Sequence, residues 1–68
     1  MKHSAFLKSS VIVSAAYSNW RLLINFTSGK SICYDDVPWE VYRDLLNAES
    51  PGKYYNEHIK FHYRSERQ

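Results

Sequence analysis

Trp20-Arg21-Leu22-Leu23-Ile24-Asn25-Phe26, then Thr27-Ser28-Gly29-Lys30, then Ser31-Ile32-Cys33-Tyr34 is the stretch whose reading decides the fold. Residues 20–26 alternate, with Trp20, Leu22, Ile24 and Phe26 on one face and Arg21, Leu23 and Asn25 on the other. That period of two predicts a strand with one buried face. Gly29 takes positive φ without steric cost, so residues 27–30 predict a tight turn. Residues 31–34 predict the next strand, with Ile32 and Tyr34 together and Cys33 opposite. Upstream, residues 11–17 are rich in β-branched side chains and predict a strand, and Ser18-Asn19 is a polar break suited to a hairpin. Two short connections make these three strands an antiparallel meander.

At Asp35 the period lengthens from two to about four. Pro38 suits the first turn of a helix, where its missing N–H has no partner to lose. Asp35, Asp36 and Glu40 cluster near the positive end of that helix's dipole. Val41, Leu45 and Ala48, flanked by Tyr42 and Leu46, supply the apolar stripe of a helix lying on a sheet. Ser50-Pro51 predicts the N-cap and first residue of a second helix, and Tyr55, Ile59 and Tyr63 recur at spacing four. The expected fold class is therefore α+β: a three-stranded antiparallel meander, one packed helix and a second short helix near the C-terminus. Leu22, Ile24, Phe26, Ile32, Val37, Val41, Leu45 and Ile59 are expected to dominate the core. Residues 1–8 are expected to form an arm, residues 9–63 the single domain, and residues 64–68 a frayed tail. The third strand would then lie at an open sheet edge, where a copy of the chain could pair.

The 68 residues leave room for one small domain, and 44% hydrophobic with 24% charged residues is ordinary for a globular chain. One cysteine excludes an internal disulfide framework and a four-thiolate zinc site. No apolar run approaches the ~20 residues that span a bilayer, so no membrane association is expected. The N-terminus imitates a secretory signal faintly, but Lys8, Ser9 and Ser10 break its apolar stretch, and a cytoplasmic location is expected. Charge is segregated: residues 1–34 carry +4, residues 35–50 carry −4 and residues 51–68 carry +2.

Further residues carry a family resemblance. They are Ser9-Ser10, Tyr17, Leu22-x-Ile24-x-Phe26, Gly29, Tyr34, Val37-Pro38, Val41-Tyr42, Leu45, Ala48 and Ser50-x-Gly52-x-Tyr54-Tyr55-Asn56-x-x-Ile59, ending at Tyr63. In that order they resemble the KTSC domain family, short domains found alone in bacterial and phage proteins and at the C-terminus of some lysyl-tRNA synthetases. The family's central Tyr-x-Tyr stands here as Ile32-Cys33-Tyr34. The synthetase context implies an RNA-binding role for a family without an assigned one.

Two candidate surfaces follow. Arg21, Lys30, Lys53, His58, Lys60 and Arg64 supply cations for phosphates, and Tyr34 and Tyr54 offer rings for base stacking, which together predict RNA or single-stranded nucleic acid binding. Asn56 is expected to cap a backbone group. The alternative is a protein partner: Trp20 and Trp39 are anchor residue types, and Asp35, Asp36 and Glu40 would attract basic chemistry. Both describe a small non-catalytic binding module, monomeric or homodimeric. No enzyme activity, cofactor or metal is expected. His58 and His62 have a helical ligand spacing but no evident third ligand, and Cys33 has no histidine at a telling distance.

Overall fold

The computed structural model describes the backbone of residues 2–67 and the side chains of residues 3–66. The elements are β1 (Lys2–Phe6), β2 (Ile12–Ser18), β3 (Arg21–Phe26), β4 (Ser31–Tyr34), α1 (Trp39–Asn47), α2 (Pro51–His58) and β5 (Ser65–Arg67). All five strands form one antiparallel sheet in the order β1-β2-β3-β4-β5. The expected meander is there as β2, β3 and β4, and each of its edges carries a further strand. Residues 2–6 pair with β2 instead of forming a free arm, and residues 65–67 pair with β4 instead of fraying. Ser65 and Glu66 have no apolar side chain to anchor them. Their order comes from backbone pairing with β4, and this covers the edge that the third strand was expected to expose.

The β2–β3 hairpin is one residue tighter in strand than its alternation implies. Ser18 pairs with Arg21, leaving Asn19-Trp20 as a two-residue loop with φ of 50° and 66°. Two left-handed residues mark the type I′ turn that matches strand twist. Trp20 thus leaves the strand face it was expected to share with Leu22. The β3–β4 loop meets expectation: Phe26 N–H donates to the Lys30 carbonyl at 2.8 Å, and Gly29 sits at φ 95°.

One feature of β2 departs from strict alternation. Ile12 and Ala15 are both buried although three residues apart, because the register slips between Ile12 and Ser14. The bulge at Val13 resets which face the strand presents. Inward side chains of β2, β3 and β4 (Ile12, Ala15, Tyr17, Leu22, Ile24 and Tyr34) close against Val37, Tyr42, Leu45, Tyr55 and Ile59. Of the expected core, Phe26, Ile32 and Val41 are only partly buried. Tyrosines take their place at the centre, since a domain this small fills its volume most readily with rings that bury ~150–250 Å² each.

Ser50 caps α2 as expected, its Oγ accepting from Lys53 N–H at 3.4 Å, with Pro51 in the first turn. Asn56 is instead an exposed position of α2. Gly52 faces the start of β2, where a Cβ would meet Val11 Cγ2 at 3.4 Å, an ordinary contact distance. The helices lie on one side of the sheet. On the other side Ser4, Ala16, Leu23, Cys33 and Glu66 share one row. Ser14, Asn25 and Ser31 share the next, linked by bonds of 2.9 Å and 2.6 Å. No helix of the described residues is long and apolar enough to cross a membrane.

Candidate functional site: an aromatic cleft with an acidic rim

The β2–β3 turn is tied to the segment that leads into α1. Val37 N–H donates to the Trp20 carbonyl at 2.8 Å, and Arg21 Nε donates to Asp35 Oδ1 at 2.9 Å. Asp36, at φ 58°, turns the chain between them, a conformation that aspartate tolerates better than most residues. Pro38 then stands at the N-cap and α1 begins at Trp39. Two tryptophans nineteen positions apart are thereby brought to one corner.

The rings there form a continuous set. His3 lies 4.7 Å from Trp39 between ring centres, Tyr17 meets Trp39 edge-on at 5.5 Å, and Tyr42 lies 5.2 Å from Trp39 and 5.5 Å from Tyr17. Tyr17 Oη donates to the Val37 carbonyl at 2.7 Å, which fixes the base of the cluster. Burial raises the Tyr17 phenol above its ordinary pKa, and the Glu40 carboxylate raises it further. Over this base opens a cleft of about 250 Å³ lined by His3, Tyr17, Asn19, Trp20 and Trp39. Trp20 remains 60% exposed and Trp39 39% exposed. Trp20, Trp39, Asp35, Asp36 and Glu40, which the sequence grouped as a protein-binding set, therefore gather on one corner.

Sequence reasoning missed His3, Tyr17 and Asn19 as members of this corner. His3 reaches it because β1 pairs in the register His3↔Tyr17, and nothing local in residues 2–6 announces that strand.

The nucleic-acid set is divided instead. Tyr34 is 1% exposed and its phenol shares a 2.5 Å hydrogen bond with that of Tyr55, so it has no face to offer a base. Burial, and then the Tyr55 bond, push its pKa far above the ordinary value. Arg21 is ion-paired and follows the helix-free face, whereas Lys30 lies in the loop past the other end of β3. Lys53, Tyr54 and His58 do share one open groove of about 500 Å³ on α2, with the Tyr54 and His58 rings 4.6 Å apart. Glu49 and Glu57 line the same groove. Lys60 lies over the exposed Phe61 ring at 5.3 Å, and Arg64 is exposed beyond it. The helix stops at His58, and His62 Nε2 lies 2.9 Å from the Glu57 carbonyl, so His58 and His62 do not share a helical face. Cys33 is buried on the helix-free face between Leu23 and Glu66.

A meander whose fourth and fifth strands are joined through a helical pair defines a small two-layer α+β domain. The chain belongs to the KTSC domain family, which residues 8–63 match. A protein of Tsukamurella paurometabola is 39% identical over 61 residues, covering 87% of this chain and 91% of that relative. The crystal structure of a KTSC domain protein from Yersinia pestis shares the fold, with a TM-score of 0.93 at 24% identity. That likeness covers 100% of this chain and 99% of the other, and so extends over both edge strands.

Proposed function

We propose that this chain is a small non-catalytic binding module that docks a protein partner at the corner where the β2–β3 turn meets the start of α1. The observation that carries this reading is the exposure of Trp20 and Trp39 in a single cleft. Exposed tryptophans set in a concave site are the anchors on which protein interfaces concentrate their affinity. The non-catalytic part rests on the placement of the reactive side chains. His3 packs tilted against Trp39, and His62 is held against the Glu57 carbonyl. Cys33, though it lines the same recess as His3, is buried, with no hydrogen bond between a histidine and Cys33 among the described residues.

A selection of random twelve-residue peptides tests it. Peptides retained by the native chain and released by a Trp20→Gly variant support the reading. Enrichment that is indifferent to Trp20 overturns it.

A second reading has its own support. Lys53, Tyr54 and His58 share an exposed face of α2, with Lys60 and the 86% exposed Phe61 following. Ring faces among cations suit single-stranded nucleic acid. Titration with bulk tRNA at low and moderate salt tests it, because each phosphate contact steepens the salt dependence.

A further inference from the structure

The cleft between Trp20 and Trp39 is walled by rings and, among the described residues, has no acid in its lining. The segment that carries Trp39 also carries Asp36 and Glu40, and Glu40 is near enough to act on Tyr17. Asp36 lies in the turn before α1 and Glu40 in its first turn, next to Trp39. Among the described residues, Asp35 is engaged by Arg21, while Asp36 and Glu40 carry no ion pair. Ring faces and carboxylates attract the same kind of group, since the face of an indole or phenol is electron-rich. The positive end of the α1 dipole also falls here, worth about half an elementary charge. Two full carboxylate charges outweigh it.

Size narrows the occupant. About 250 Å³ is below the ~300–1,000 Å³ usual for small-molecule and cofactor sites. It suits one long side chain. Backbone conformation gives an independent indication. At the second position of a type I′ turn glycine is the favoured residue, and a bulky side chain at φ 66° is strained. Stability alone would place glycine after Asn19. The chain instead keeps there its second indole, mostly in solvent, and strained residues of this kind gather at binding sites.

We propose that the Trp20–Trp39 cleft receives a cationic side chain from a basic segment of the protein partner, with the ring faces around the cation and Asp36 and Glu40 at its rim. This rests on the reading of the chain as a protein-binding module and adds what the partner must carry. His3 contributes a further ring to the wall. The Arg21 guanidinium is turned to Asp35, which keeps it from competing with the incoming cation.

The test reads the indole Nε1 proton resonances of Trp20 and Trp39 during titration with four probes. These are Nα-acetyl-lysinamide, Nα-acetyl-argininamide, tetramethylammonium and the neutral Nα-acetyl-norleucinamide. The cationic probes are expected to move both resonances and norleucinamide to leave them in place. The order among the cations identifies the preferred head group. Trp20→Gly should weaken binding about tenfold while raising Tm, so that the loss cannot come from unfolding. Asp36→Asn, which suits the positive φ at that site, and Glu40→Gln should each weaken it about two- to fivefold at low salt.

Equal response to norleucinamide and lysinamide would overturn the proposal and leave a module with an apolar anchor. Silence of both indoles toward all four probes, alongside peptides selected through Trp20, would also overturn it and leave the module standing. If no Trp20-dependent peptide emerges either, both readings fall together.

Discussion

The corner at Trp20 and Trp39 and the outer face of α2 are built from the same kinds of residue, aromatic and charged, yet they differ in how they are held. At the corner, rings from β1, β2 and α1 pack against one another, Tyr17 anchors them to the backbone of Val37, and Trp20 of the hairpin turn stands more exposed beside them. On α2, Tyr54 and His58 are neighbours along one helix, in a groove that acids also line. Tertiary packing can hold a concave, preorganised shape, whereas a helix face offers side chains free to reorient. Preorganisation lowers the entropy that binding must overcome, so the corner is the better candidate for a specific site.

The sharpest way to break this contrast is at the core between the two regions. Tyr34→Ala should cost about 3–5 kcal/mol in urea unfolding, as expected when a buried aromatic is truncated. Tyr34→Phe should cost about 1–3 kcal/mol by leaving the Tyr55 phenol without its partner. A mild effect from Tyr34→Ala would return that ring to the surface and reopen the stacking role assigned to it from sequence.

Alkaline pH probes both regions at once. Burial raises the phenols of Tyr17, Tyr34, Tyr42 and Tyr54 above 10. The unfolded chain gives up these protons near pH 10 while the folded chain retains them. Stability is therefore full below about pH 10 and falls as pH rises beyond it. Urea midpoints at about pH 8 and about pH 11 should show that decline, shallower in Tyr34→Phe.

Charge reversal separates the surfaces. Lys53→Glu, Lys60→Glu and Arg64→Glu together should change stability by no more than about 0.5 kcal/mol. They should leave peptide binding at the corner intact and, on the second reading, cut tRNA affinity about tenfold or more. Loss of peptide binding in this triple variant would merge the two regions into one surface. The smallest effect is expected from Asp35→Asn. Its bond to Arg21 is largely exposed, so the loss should stay under about 1 kcal/mol by thermal melting.

The central hairpin and both helices were legible because local rules specify them. Gly29 makes its turn, Ser50-Pro51 caps its helix, and period-two alternation marks β3. The edge strands were not legible, because Lys2–Phe6 and Ser65–Arg67 are ordered by partners distant in sequence rather than by apolar alternation of their own. The bulge at Val13 and the tighter hairpin are register effects, set by which side chains the core accepts. Site membership followed the same division. Both tryptophans and the acids were named from residue type, but their convergence depends on the Ser18↔Arg21 pairing, and His3 enters only through β1. Tyr34 was given a stacking role on residue type, although alternation placed it on the face of Ile32, and the structure buries it opposite Leu22.

The two outermost strands lie beyond residues 8–63, the span that matches the family. The span of the family match is thus shorter than the sheet, although the likeness to the Yersinia pestis structure runs over both edge strands. A chain trimmed to residues 8–63 would lose few atoms but would bare the hydrogen-bonding margins of β2 and β4 together. Such margins are templates for another strand. With β1 and β5 in place the outer edges are instead a five-residue and a three-residue strand, and short edges are poorer templates than the seven-residue β2.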